Sequence, residues 1–162
     1  MDERAAVLDL LRENARYTTA DLARMTGLDE SAVEETIAAL EADGVVAGYT
    51  AVVDPAKLDD EPVRAHVECN VTLDRETSYG DIAQRLAGFP EVASLRLMSG
   101  DYDFALDVEA DSMGEVSRFV SEKVAPLPEI TQTVTHYVME TYKESNHRFD
   151  TDEGDERISY SP

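Results

Sequence analysis

Histidine and cysteine are the side chains that most often bind metals or act as catalytic groups, and this chain has few of them. His66, His136 and His147 fall on three separate segments, and no two of them have the spacing of a metal-ligand motif. Cys69 is the single cysteine, so it supports neither an internal disulfide nor a cysteine metal cluster. The chain also has no glycine-rich phosphate loop and no nucleophile motif. These features predict a protein that is not an enzyme and that needs no metal and no cofactor.

Two other sets of polar residues are suited to binding rather than to catalysis. Thr131, Thr133 and Thr135 alternate along the chain, so in a β-strand their hydroxyls share one face. The segment Ser99-Gly100-Asp101-Tyr102 is a turn sequence, because Gly and Asp accept turn conformations. Both patterns also occur with a purely structural role, so the residues alone leave both interpretations open.

The elements predicted for the first 53 residues are those of a winged helix-turn-helix. The first helix spans about Asp2 to Asn14 and has an apolar stripe, formed by Val7, Leu8, Leu10 and Leu11. Thr18 and Asp21 match a capping box that opens a short second helix, ending near Met25. Gly27 permits a left-handed turn before a third helix, which runs to about Asp43 with Gly44 at its C-cap. The β-branched residues 45–53 predict a strand or wing, ended by Asp54-Pro55.

The second half predicts the order β-α-β-β-α-β. Apolar and polar residues alternate from Arg64 to Leu73, as in a strand with one face on a core. The following elements are a helix at 78–86, strands around Leu95–Leu97 and 104–108, a helix from a Ser112–Glu115 capping box to Val124, and a β-rich segment at 130–142. This is the split ferredoxin-like arrangement, so the fold class is α+β.

The predicted topology leaves one face of the sheet free of helices. We expect this open face to carry Arg64, His66, Glu68, Ser94, Arg96, Asp103, Thr133 and Thr135. Such a polar face suits a partner subunit or a small polar ligand. The predicted organisation is a DNA-binding-type unit at 1–53, a linker at 54–63, a ferredoxin-like domain at 64–143 and an acidic tail at 144–162. We expect the tail to be flexible, although residues 157–160 can add an edge strand.

The charge balance is unusual. The chain has 35 Asp and Glu residues against 14 Lys and Arg, a net charge of −21 and a pI near 4.2. The periodicities above oppose a disordered acidic protein, so we infer an acid-coated globule adapted to high salt, where the Debye length is only ~3 Å at 1 M. This predicts a halophilic source, such as an archaeon, and full stability in low salt would contradict it. No run of 18 apolar residues and no signal-peptide pattern occurs, which predicts a cytoplasmic protein without a membrane span.

Five segments in this order resemble the Lrp/AsnC (feast/famine) family of transcription regulators. They are 44–51 (GVVAGYTA), 89–92 (FPEV), 99–104 (SGDYDF), 127–130 (LPEI) and 138–140 (VME). The resemblance covers roughly residues 1–145. It implies homodimers paired through the β domain and often assembled into octamers. It also implies binding of double-stranded promoter DNA, and of amino acids or similar small metabolites between subunits.

The resemblance identifies the loop at 99–103 as the effector-binding loop. It implies that backbone amides at Gly100, Asp101 and Tyr102 hold a carboxylate, and that Asp101 or Asp103 pairs with an ammonium group. The position of Thr131 lies beside the ligand in this family. Thr133 and Thr135 complete the predicted effector site.

The third helix is the one that enters the major groove in this fold. The predicted DNA contacts are Arg16, Arg24, Ser31, Ala32, Glu35 and Thr36. The third helix has no arginine, however, and its carboxylates repel phosphate and contact bases productively mainly at the cytosine amino group. At high salt the advantage of basic contacts is small, which favours DNA binding through shape and hydrogen bonds.

Three hypotheses follow. The first is a DNA-binding transcription regulator that responds to an amino acid or similar metabolite. The alternative is a metabolite-sensing oligomeric module with weak or no DNA binding. A third is a tetrapyrrole decarboxylase, the activity of a related architecture.

Overall fold

The computed structural model describes residues 2–149 of the 162. The chain divides between Ala51 and Val52 into two compact units. Among the described residues, no helix is both long enough and apolar enough to cross a membrane.

The N-terminal unit is built from three helices, as predicted. They are α1 (Glu3–Glu13), α2 (Thr19–Thr26) and α3 (Glu30–Ala42). Each helix buries side chains, among them Val7, Leu22, Val33 and Leu40. Leu22 and Ala23 of α2 pack with Val33 of α3 in one cluster. The predicted capping box is present, because the Thr18 hydroxyl accepts from the Asp21 amide while the Asp21 carboxylate accepts from the Thr18 amide.

The turns between these helices depend on glycines. Gly27 ends α2 with φ at 78° and Gly44 follows α3 with φ at 68°, in the left-handed region that L side chains rarely adopt. After Gly44 the amides of Val45 and Val46 donate to the Leu40 carbonyl at 2.9 and 3.0 Å, which closes the end of α3.

For residues 45–53 the sequence predicts a strand or wing, and the strand alternative is wrong. Within residues 2–149 this segment pairs with no strand, and most of its side chains are exposed. The Tyr49 hydroxyl of this segment donates a hydrogen bond to the Glu41 carboxylate at 2.9 Å. β-branched residues favour a strand only where a neighbouring strand supplies backbone partners and a packing surface, and the segment has neither here.

The second unit has the predicted βαββαβ order. Its elements are β1 (Val63–Val71), α4 (Tyr79–Ala87), β2 (Val92–Leu97), β3 (Phe104–Ala110), α5 (Met113–Phe119) and β4 (Ile130–Tyr137). A short 3-10 helix, Pro55–Lys57, precedes β1, and a π-helical turn, Val120–Val124, continues α5. The four strands form one antiparallel sheet in the order β2-β3-β1-β4. Both helices pack on one face of this sheet, against Ala65, Val67 and Cys69 of β1.

The caps of the two helices differ. Ser78 and Asp81 form a complete capping box at α4. At α5 only half of the predicted box forms: the Ser112 hydroxyl accepts from the Glu115 amide at 3.2 Å, but the Glu115 carboxylate accepts from the Asp111 amide instead.

The end of the described chain is more ordered than expected. The last strand of the sheet ends at Tyr137, not near Tyr142, and a small hairpin follows, formed by β5 (Lys143–Glu144) and β6 (His147–Arg148). Positive φ angles at Ser145 and Asn146 are those of a two-residue type I′ turn. The Arg64 guanidinium donates to the Glu144 carboxylate at 2.9 Å, which attaches the hairpin to β1. The prediction of a flexible tail is therefore wrong for residues 144–149, and the possible strand at 157–160 lies outside the described residues.

Candidate functional site

The loop between β2 and β3 contains the Gly100–Asp103 segment and is closed by backbone bonds. The Met98 amide donates to the Asp103 carbonyl at 2.8 Å, and the Asp103 amide donates to the Cys69 carbonyl at 2.9 Å. Gly100 has φ at 133°, a conformation that disfavours any side chain. The loop therefore has a defined backbone course beside the end of β1.

Asn70 connects this loop to β4. The side-chain amide of Asn70 donates to the backbone carbonyl of Asp101 at 2.8 Å. The backbone carbonyl of Asn70 accepts from the Thr131 hydroxyl at 3.2 Å. A bulge between Asn70 and Val71 leaves Thr131 without a cross-strand partner. The structure thus brings the Gly100–Tyr102 loop and Thr131 to the same end of the sheet.

Several polar groups of the loop are available to a ligand. Within residues 2–149, the backbone amides of Gly100, Asp101 and Tyr102 donate to no acceptor, and the exposed Asp101 carboxylate has no partner. Asp103 differs, because its carboxylate accepts from the Val71 amide at 2.8 Å and from the Tyr79 hydroxyl at 3.2 Å. The hydrogen bond to Asp103, together with the charge of its carboxylate, raises the pKa of Tyr79. Of the two predicted ammonium partners, Asp101 is therefore the unoccupied one.

Thr133 and Thr135 do not lie on the face predicted for them. In the observed register Thr133 pairs with Cys69 and Thr135 pairs with Val67, so both threonines share the helix-covered face. The open face of the sheet instead carries Gln132, Val134 and His136 from β4. The prediction was wrong because alternation gives two possible orientations of a strand, and only the pairing register chooses between them.

A second polar cluster lies on the open face, centred on Asp107 of β3. Its carboxylate accepts from Ser94 and Arg96, each at 2.8 Å, and lies 3.0 Å from His66 Nδ1. Burial alone raises the pKa of Asp107, but the hydrogen bonds from His66, Arg96 and Ser94 outweigh it and lower the pKa to about 2. This cluster holds three strands of the open face together.

The histidines of the open face are also close to each other. His136 Nε2 lies 3.6 Å from the Glu68 carboxylate, and the rings of His66 and His136 are 6.4 Å apart. Among residues 2–149, no three His, Cys, Asp or Glu side chains are arranged to hold a metal ion. Burial raises the pKa of Cys69 to about 11, so its thiol stays protonated at neutral pH.

Sequence reasoning missed Asn70 and Asp107. Asn70 is a polar position of the alternation predicted at 64–73, and Asp107 lies in the strand predicted at 104–108. Their partners depend on the strand order β2-β3-β1-β4, which alternation does not specify.

The surface of α3 contains the remaining predicted residues. Ser31 and Glu35 are exposed, whereas Ala32 and Thr36 are half-buried and the Thr36 hydroxyl donates to the Ala32 carbonyl at 2.7 Å. Arg24 lies 3.3 Å from the Asp21 carboxylate, and the exposed Arg16 guanidinium has no ion pair within the described chain. Among the predicted DNA contacts, the Arg16 guanidinium and the Glu35 carboxylate are therefore without an ion pair to any residue of 2–149.

Comparisons with known proteins match both units. Residues 5–47 match a family described as winged helix-turn-helix DNA-binding, and residues 64–147 match the Lrp/AsnC ligand binding domain. The chain is 35% identical over 162 residues to the uncharacterized HTH-type transcriptional regulator YugG of Bacillus subtilis, covering 99% of this chain and 98% of the relative. It is 29% identical over 145 residues to the leucine-responsive regulatory protein of Escherichia coli, covering 86% and 85%.

Two solved structures share the fold. The leucine response regulatory protein of Mycobacterium tuberculosis superposes with a TM-score of 0.75 at 24% identity, covering 91% of this chain and 98% of that one. A transcriptional regulator of Neisseria meningitidis in complex with L-Met has a TM-score of 0.71 at 22% identity, covering 89% and 92%.

Proposed function

Since this chain belongs to the Lrp/AsnC family of transcriptional regulators, we propose that residues 64–143 bind an amino acid or a similar small metabolite and that residues 1–53 bind promoter DNA. The two functions are carried by different units of the chain. The geometry around Asn70 supports a ligand class and a set of contact residues.

The observation that carries the ligand assignment is the set of groups around Asn70 that have no partner among residues 2–149. Three backbone amides at Gly100–Tyr102 are suited to a carboxylate, and the free Asp101 carboxylate is suited to an ammonium group. The Thr131 hydroxyl lies beside them through its bond to Asn70 and can also accept a hydrogen bond. This combination fits the charged ends of an α-amino acid, and the L-Met complex of the Neisseria meningitidis regulator supports the same class. Thr133 and Thr135 lie on the helix-covered face of the sheet, opposite to the face that carries Asn70, so we leave them out of the proposed site.

Calorimetric titration with the standard amino acids tests this assignment. In the double variant Gly100→Val with Thr131→Val, a side chain at position 100 obstructs ligand access to the loop amides, and the Thr131 hydroxyl is removed. We therefore expect a loss of affinity of roughly tenfold or more for whichever amino acid binds the wild type. Circular dichroism checks that the variant is folded. The matched control is Gly48→Val with Thr133→Val. Gly48 has open space around it, and Thr133 lies on the helix-covered face of the sheet, outside the proposed site. Unchanged affinity in the folded Gly100 and Thr131 variant would show that the pocket lies elsewhere.

We extend the proposal to assembly and environment. The chain forms homodimers that assemble to octamers, and the effector acts by binding two assemblies with different affinities. The net charge of −21 supports the proposal that the protein functions in a cytoplasm of high salt concentration, where the repulsion between exposed carboxylates is screened.

A second candidate is a metabolite-sensing module with weak or no DNA binding. It is favoured by α3, which has no Lys or Arg between Glu30 and Ala42, and by the pairing of Arg24 with Asp21. The relatives described above are transcriptional regulators, and nothing in the described residues favours the decarboxylase hypothesis.

A further inference from the structure

The outward surface of α3 has an unusual composition. Val33 and Leu40 are fully buried and define its inner side. The opposite side presents Ser31, Glu35, Ala38 and Ala42, which follow one another at spacings of four, three and four residues and are all exposed. Glu35 is the one long, ionisable side chain in this stripe, and the other three side chains are small.

Glu35 is also free to bind. Within residues 2–149 its carboxylate has no hydrogen bond and no ion pair, unlike Glu41 of the same helix, which accepts from Tyr49. It lies in the second turn, within the half of the helix that this fold directs into the major groove. The small residues around it allow the helix backbone to approach a groove closely.

The chemistry of the Glu35 carboxylate limits which DNA bases it can recognise. An ionised carboxylate only accepts hydrogen bonds, so it gains nothing from phosphate oxygens or from the acceptor edge of guanine. In the major groove, acidic side chains accept hydrogen bonds from the exocyclic amino group of cytosine. Adenine also presents an amino group, but its neighbouring N7 acceptor repels a carboxylate, so cytosine is the favoured base partner of a glutamate in the middle of the outward stripe.

Building on the DNA-binding function proposed above, we propose that Glu35 determines sequence specificity by accepting a hydrogen bond from cytosine. The target is then a duplex with a C·G pair at a fixed position in each half-site. Arg16 supplies a backbone contact and carries no sequence information.

Selection from a library of random DNA duplexes in molar KCl, with the full-length chain, tests the proposal. The wild type should enrich cytosine at one position of its site. Glu35→Gln should enrich adenine there instead, because a carboxamide offers the donor and acceptor that adenine matches. Glu3→Gln makes the same change of charge on the exposed surface of α1 and should enrich the same duplexes as the wild type.

Measured affinities make the test quantitative. Replacing the selected C·G pair with T·A should weaken wild-type binding roughly tenfold and should leave Glu35→Gln with no such discrimination. Enriched duplexes whose sequence is the same for wild type and Glu35→Gln would overturn the specificity proposal alone. A wild type that retains no duplex at any KCl concentration would overturn both this proposal and DNA binding itself.

Discussion

Asp107 shows how much a single side chain contributes to the open face. It receives contacts from β1 and β2 while it belongs to β3, so it links three strands. The sequence predicts a strand at 104–108, yet it could not predict that His66, Ser94 and Arg96 converge on Asp107. Those contacts come from register, which depends on the whole sheet.

The lowered pKa of Asp107 predicts a specific pH dependence of stability. Because its pKa falls from 3.8 to about 2 on folding, the carboxylate stabilises the fold fully above about pH 4 and loses that contribution as pH falls towards 2. Asp107→Asn should therefore be less stable than wild type at neutral pH and should lose less stability across this acid range. Urea unfolding measured from neutral pH to about pH 2 follows both effects. Asp101→Asn removes the same charge from a carboxylate without a described partner, and it should show neither effect.

At the scale of elements, the sequence predicted best where the signal is local. The Thr18–Asp21 capping box and the alternation in β1 each depend on neighbouring residues, and both are present. The predicted Ser112–Glu115 box forms only in half. The strand at 45–53 and the orientation of β4 depend on distant pairing, and both predictions were wrong. The Asn70 bridge was missed for the same reason, because its partners are 31 and 61 residues away in sequence.

The turn between α2 and α3 gives a prediction at this scale. Gly27 has φ at 78° and open space around the position of a Cβ atom, so Gly27→Ala adds backbone strain without a clash. We expect a loss of roughly 1 kcal/mol in the free energy of unfolding. Gly48→Ala is the control, since that glycine has no positive φ and equally open space, and it should be neutral or slightly stabilising. Thermal unfolding followed by helical circular dichroism measures both variants. Equal stability of the two would mean that the left-handed turn at Gly27 is not maintained in solution.

At the scale of the whole molecule, charge is the property that the sequence predicts most directly. The excess of acids extends to α3, which lies within the residues that match a winged helix-turn-helix DNA-binding family. A phosphate backbone and this helix repel each other, so binding needs conditions in which that repulsion is screened.

The dependence of DNA binding on salt follows from the few cations available. If Arg16 and Arg24 each neutralise one phosphate, the slope of log affinity against log salt is about −2 per copy, far shallower than the slope near −10 of a strongly basic regulator. Gel-shift titrations of the full chain on its own promoter, from low to molar KCl, measure this slope. Arg16→Ala should weaken DNA binding and flatten the slope by about one per copy. The matched control is Arg12→Ala, which removes an exposed arginine of α1 beside Asp9 and should change neither the affinity nor the slope. A steep slope would show that other cations contact DNA. Absence of binding at every KCl concentration, with oligomers intact, would instead favour the metabolite-sensing module.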